Sequence, residues 1–250
     1  MSEDGSRASM GGKRNGTGVK VMSDKDEDIV EAVKAIESNL SLPEGFVDGL
    51  IREDDWSFVI KSHALIEATL STWIASSLNK EQLLELLSHL DIGNMKYGKI
   101  AFTKALALTT EYDRRFLKGL SELRNRLVHQ VSNVGFNFSE YIDSLDPSQK
   151  KSFVKAFGYN YWGLDDEQKI TEPDMGIVLK NPKESIWHGV RLFLAIVGIT
   201  MDTHKLKLEA EKLEKERLEK ELEIERRTNK GIKALMGNMS DFLKNGPSSS

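Results

Sequence analysis

The sequence predicts an all-α fold, a helical bundle that carries a long charged C-terminal helix, and three observations predict it. Apolar residues recur every three or four positions through most of the chain, the period of a helix with one buried face. Gly and Pro, which interrupt helices, concentrate at the start and between residues 131 and 182. The stretch 205–227 holds eight Glu, eight Lys or Arg and seven apolar residues with no Gly or Pro, the composition of a long charged helix.

Composition bounds what the chain does. With 250 residues, 39% hydrophobic and 30% charged, it can bury one core of ordinary size and still leave tails. A net charge of -4 argues against a surface devoted to duplex nucleic acid, which needs a broad basic field, but leaves room for a local RNA site built from a few cations. Arg114, Arg115, Arg124 and Arg126 fall on or near one helix and are the candidates for such a cleft. The absence of Cys excludes disulfides and thiolate metal sites. The N-terminus lacks the apolar run of a signal peptide, and the longest apolar stretch, 192–201, falls short of a bilayer span. A cytoplasmic protein with no membrane segment is expected.

Taken in order, residues 1–22 are rich in Gly, Ser, Lys and Arg and read as a disordered tail. A first helix starts near Ser23, where Ser23 and Asp26 have capping-box spacing, and stops before Pro43. A second begins at Asp54 or Asp55 and keeps its period through Val59, Ile66, Leu70 and Trp73 to about Ser77. Short helices follow at 81–87 and 94–108. Thr110 and Asp113 then cap a helix that runs to roughly His129. From 131 to 180 the signal weakens, leaving one helix at 148–157 and no clear period around "YNYWGLDDEQ". After Pro182 comes a strongly apolar helix with Ile186, Trp187, Val190, Leu194, Val197 and Met201 facing inward, against other helices or a second subunit. The resulting division is a tail (1–22), a helical domain (23–204), a charged helix or weak coiled coil (205–230), and a short amphipathic segment with a flexible end (231–250).

The last two parts read as a continuation of the apolar helix. Leu206, Ala210 and Leu213 begin a coiled-coil seam, but Arg217 and Lys220 occupy its next positions, and Leu218, Leu222 and Ile224 restart it out of phase. Glu residues that precede Lys or Arg by three or four positions support an isolated charged helix. A mostly exposed rod is expected, one that either acts as a spacer or recruits a protein partner through "GIKALMGNMSDFL".

The segment "ELRNRLVH" (122–129) carries the chemistry. Arg offers phosphate a permanent charge and a planar fork of donors, and His holds or releases a proton near neutral pH. Arg124 and His129 are five residues apart, about 140° around an ideal helix, whereas Asn125 and His129 share a face. Asn125 is therefore the expected hydrogen-bond partner of His129. Arg124 either swings around to the same target or completes a site across a symmetric dimer.

"LRNRLVH" resembles the signature of the HEPN superfamily of small helical domains, in which Arg, four to six residues and then His marks the active members, commonly with Asn after the Arg. "SFVIKSHALIEATLSTWI" (57–74) resembles the family's long helix before the motif, and "YGKIAFTKALAL" (97–108) the helix between. "HQVSNVGFNFSEYI" (129–142) resembles the tail of the mannitol-repressor-like branch. The resemblance covers roughly residues 54–142. It implies a dimer that cuts RNA without a metal or cofactor, in toxin or defence settings, leaving a cyclic phosphate and a 5′-hydroxyl, with Arg124 and His129 catalytic. Arg126, a second cation close to the histidine, is expected to support them. Its mannitol-repressor-like side implies a different class, a non-catalytic regulator that works by protein contact.

Two polar residues interrupt the apolar stripe of the second helix. His63 and Glu67 are four apart and touch each other on a helix, and a buried carboxylate needs a partner. Either Glu67 pairs with His63 or a hydroxyl for structural reasons, or it reaches the motif helix and fixes Arg124 or His129. His89, His188 and His204 have no metal-ligand spacing, and "GGKRNGTG" has no strand before it or helix after it, as a phosphate loop requires.

Overall fold

The structure is a computed structural model that describes residues 24–129, 131–158, 163–164, 170–171 and 173–244. The expected tail at 1–22, the cap at Ser23, most of the stretch 159–172 and the last six residues lie outside the described residues. The chain folds as an all-α helical bundle with a long charged C-terminal helix.

Helix α1 (Asp24–Asn39) ends as Ser41 turns into the left-handed region at φ 54°. Its Glu37 is a buried carboxylate that holds the following turn in place. The two carboxylate oxygens accept from the backbone N–H of Gly45 at 3.0 Å and Val47 at 2.8 Å. That contact seats α2 (Phe46–Gly49), a turn with no clear sequence signal, which continues into a 3-10 turn at Leu50–Arg52.

Helix α3 (Asp55–Ser77) is the axis of the bundle. Asp54 caps it, accepting from Ser57 N at 2.9 Å; the bonds it accepts from Ser57 hold its carboxyl below the usual carboxylate range. Phe58, Val59, Ile66, Leu70, Trp73 and Ile74 are buried, each worth roughly 1.5–3 kcal/mol relative to exposure. The helix ends at Asn79, whose φ of 52° lets Asn79 N and Lys80 N bond back to Ser76 O and Ala75 O.

A 3-10 turn (Glu81–Leu83) leads into α4 (Leu84–Ser88) and then α5 (Lys99–Ala105). The helix expected at 94–108 is thus shorter. Asn94 Oδ1 accepts from the N–H of Lys96 and Tyr97, both at 3.0 Å, and so forms a turn in place of a helical start. Next come α6 (Glu111–Val128), a 3-10 turn (Val131–Gly135), α7 (Phe138–Ser144) and α8 (Pro147–Phe157). Two-residue strands β1 (Gly163–Leu164) and β2 (Ile170–Thr171) pair antiparallel, Gly163 opposite Thr171. Helix α9 (Met175–Lys180) precedes α10 (Pro182–Lys244). Among the described residues, the stretch 131–180 therefore holds two further short helices beyond the one expected, seated by side-chain bonds rather than by a long apolar period: Asn137 caps α7, Asp174 caps α9, and Asp55 Oδ2 accepts from Phe138 N at 2.9 Å.

Helix α10 runs unbroken from the core into the charged segment. Its first part packs on α1 and α3, with Ile186, Val190, Phe193, Leu194 and Val197 buried. Gly198 sets the closeness of the first crossing, since a Cβ there would meet Ala32 O at 2.8 Å. Trp73, Phe193, Phe116 and Phe157 stack edge to face or tilted across the centre, joining α3, α10, α6 and α8. By length and composition α10 is apolar enough to cross a membrane; in the fold 44% of that apolar part is buried in the core, while Ile196 and Ile199 are exposed.

Candidate functional site

Helix α6 is the platform for the motif. Thr110 opens it with the expected capping box: Asp113 N donates to Thr110 Oγ1 at 3.3 Å, and Thr110 N donates to Asp113 Oδ2 at 2.6 Å. Phe116, Leu117, Leu120, Leu123 and Leu127 form its buried stripe. That stripe leaves Arg124 and Asn125 half-buried at its border and Arg126 and His129 exposed.

The end of α6 is closed by Asn133, a residue that the sequence pattern did not single out. Asn133 Nδ2 donates to Arg126 O at 2.9 Å and Leu127 O at 3.4 Å, satisfying carbonyls that the helix itself leaves open. His129 is the C-cap residue directly beyond. An Asn shortly after a helical run was the available signal.

Asn125 does not serve His129. Arg124 Nη1 donates to Asn125 Oδ1 at 3.0 Å, so the expected Asn125–His129 bond is replaced by a bond between chain neighbours. The long guanidinium stem bends along the helix and reaches the amide more easily than the short imidazole does. Nor do the four arginines gather in one cleft. Arg114 donates to Thr109 O, Arg115 pairs with Glu111 at 2.6 Å, and Arg126 lies 5.4 Å over the Tyr141 ring. Successive positions on a helix differ by about 100°, and each guanidinium takes the nearest acceptor or ring on its own side.

On the α3 side, the structure brings His63, Glu67, Lys99 and Arg124 into one electrostatic cluster. Glu67 Oε1 accepts from Lys99 Nζ at 2.9 Å, and Glu67 Oε2 lies 3.9 Å from His63 Nδ1. Lys99 is fully buried and Glu67 keeps a third of its side chain exposed, so water reaches the carboxylate but not the ammonium. Glu67 bonds neither Arg124 nor His129. It neutralises a buried cation instead. Lys99 was readable in principle, as the one charge in the run "YGKIAF" that opens a short helix, but its partner lies 32 residues away. Burial pushes the pKa of His63 below its ordinary value; the Arg124 and Lys99 charges push the same way, while Glu67 and Asp91 oppose them. His63 is therefore neutral at pH 7, and its buried Nε2 has no hydrogen-bond partner among the described residues.

Chemically, α6 presents a half-buried Arg–Asn pair on one flank, an exposed imidazole at its end, and an Arg stacked on Tyr on the other flank. Among the described residues no three His, Asp or Glu side chains gather as a metal site requires. Compared with protein-family models, with curated proteins and with solved structures, the chain matches none.

Proposed function

We propose that this chain is a HEPN-type endoribonuclease that works without a metal and whose site is completed by a second copy. The observation that carries this reading is that one capped helix holds the Arg124–Asn125 pair half-buried and leaves His129 open to solvent at its end. The half-buried guanidinium gives a fixed charge for a phosphate, and an open imidazole is free to meet RNA and a second protomer. In this reaction His129 takes the ribose 2′-hydroxyl proton, and the 2′-oxygen attacks the adjacent phosphorus. Arg124 stabilises the pentacoordinate phosphate, and the bond to the 5′-oxygen breaks. That oxygen collects a proton from His129 of the second copy. The products are a 2′,3′-cyclic phosphate and a 5′-hydroxyl.

The test is cleavage of single-stranded RNA by the full chain. His129→Ala and Arg124→Ala each lower the rate by at least about a hundredfold with helical circular dichroism unchanged, and a chelator leaves the wild type active. Cleavage that survives His129→Ala, or that needs magnesium, overturns the reading. The free part of α10 favours a second one, a non-catalytic regulator acting by protein contact like the mannitol-repressor-like proteins that the sequence resembles. Leu213, Leu218, Leu222, Ile224 and Ile232 lie exposed along it, a surface suited to a partner helix. Under that reading no RNA is cut and both variants behave as wild type.

A further inference from the structure

The flank of α6 that carries Arg126 borders a groove of about 250 Å³ between α6, α7 and α8. Its opening has a local cause. Gly119 brings α6 against α8, where a Cβ would meet Ala156 Cβ at 2.8 Å. The lining residues run away from that contact along both helices, and Tyr141 of α7 and Leu145 just after that helix close the far end. The floor is apolar, made by the buried Leu123, Phe153 and Phe157. The rim is polar and mixed in sign: Glu122 and Arg126 from α6, Gln149 and Ser152 from α8, and the Tyr141 ring.

We propose that this groove binds one unpaired RNA base, guanine by preference, and so selects where the strand is cut; this rests on the reading that the chain cleaves RNA. The volume is below the roughly 300–1,000 Å³ of pockets that enclose drug-sized ligands, which suits a single ring system. Unpaired bases are held by stacking on aromatic and guanidinium planes and read along their polar edges. Here Tyr141 with Arg126 over it supplies the planes, and Phe153 and Leu123 cover the apolar faces. Glu122 accepts from two adjacent donors, which guanine presents as N1–H and its 2-amino group; adenine and cytosine present a ring acceptor at that place. Gln149 Oε1 already accepts from Asp146 N at 2.9 Å, which turns its amide N–H donors free for the guanine O6. Glu122 is only loosely held, with Lys118 at 3.5 Å on an exposed surface, so it exchanges that contact at little cost. Arg126 precedes His129 by three residues, about 4.5 Å along the helix, within a nucleotide of the phosphate under attack.

The experiment titrates the full chain with each of the four nucleoside 5′-monophosphates, by calorimetry and by NMR of the tyrosine and phenylalanine rings. The guanosine nucleotide binds at least about fivefold tighter than the others. Tyr141→Ala weakens binding about tenfold, in the range of one lost base stack. Because Tyr141 also packs on Phe136 and Phe153, the exposed Glu122→Gln is the second variant: it keeps the fold and erases the preference for guanine. Equal binding of all four nucleotides, no binding at millimolar concentration, or a preference unchanged in Glu122→Gln overturns the proposal. Guanosine nucleotide binding without RNA cleavage supports the groove and overturns the nuclease; cleavage after every base with no nucleotide preference does the reverse.

Discussion

At the scale of single residues, the molecule places three histidine-bearing or cationic positions in three different dielectric settings. His129 is exposed, Arg124 is half-buried, and His63 is 4% exposed. Burial as the largest cause, with Arg124 and Lys99 adding to it, keeps the folded-state pKa of His63 below its ordinary value of 6.5. In the unfolded chain the imidazole protonates near that value, so below it the unfolded state binds more protons than the folded state. Stability contributed by neutral His63 is therefore full above about pH 6.5 and is lost as pH falls toward the lowered folded value. His188 is shifted the same way by burial and by Arg191, and it titrates in the same window. Thermal melts between about pH 7.5 and pH 5, above the range where free carboxylates titrate, measure the slope. The wild type melts lower at the acid end; His63→Gln flattens part of that slope and His188→Gln a further part. A slope unchanged in His63→Gln contradicts the assignment.

At the scale of elements, helix ends do much of the positioning. Among the described residues, three helices close through a non-glycine residue in the left-handed region: Ser41 after α1, Asn79 after α3 and Ala107 after α5, with φ of 54°, 52° and 54°. Each lets its own N–H and the one after it bond backwards, as Ala107 N does to Lys104 O and Leu108 N to Thr103 O. Ala is the poorest of the three there, because its Cβ crowds the carbonyl and it has no side-chain hydrogen bond in return. Ala107→Gly removes that strain at the expense of a more flexible unfolded chain. The expected net effect is a gain of about 0.5–1 kcal/mol in denaturant unfolding free energy, with α5 and Lys99 undisturbed. A loss of stability instead would show that the Ala107 methyl makes a packing contact worth more than the strain.

At the scale of the whole molecule, α10 belongs half to the core and half to solvent. Met201 and His204 still pack near Trp73 and Leu108, and Leu208 is the last half-buried residue before a continuous exposed run through residue 240. The run is held by its own ion pairs, such as Arg217 with Glu214 at 2.8 Å and Arg227 with Glu223 at 2.5 Å, each worth a few tenths of a kcal/mol. Truncation after Glu209 therefore leaves the melting temperature within about 2 °C of the full chain, whereas truncation after Thr203 removes His204 and lowers it. Light scattering of the first truncation also tests assembly: the proposed two-copy site lies on α6, so dimer mass persists. A truncated chain that becomes monomeric places the dimer contact on the rod.

The sequence by itself determined the helices whose information is local. Asp54 and Thr110 mark their caps, and the 3.6-residue period carries α3, α6 and the first part of α10, because a repeating apolar face and a side chain bonded three residues away need nothing distant. The charged composition of 205–227 likewise determined the rod. Short elements such as α2, α7 and α9 were decided by tertiary structure, since a helix of one or two turns does not offset its own nucleation cost. Such a helix forms where a distant side chain supplies a bond, as Glu37 does for α2 and Asp55 for α7. The site divides the same way. Arg124, Asn125, Arg126 and His129 are legible as a local motif, but which flank each one faces is not. Lys99 on Glu67 and Tyr141 under Arg126 are contacts made across helices. They depend on which surfaces meet when the core closes, a long-range outcome that spacing along the chain does not encode.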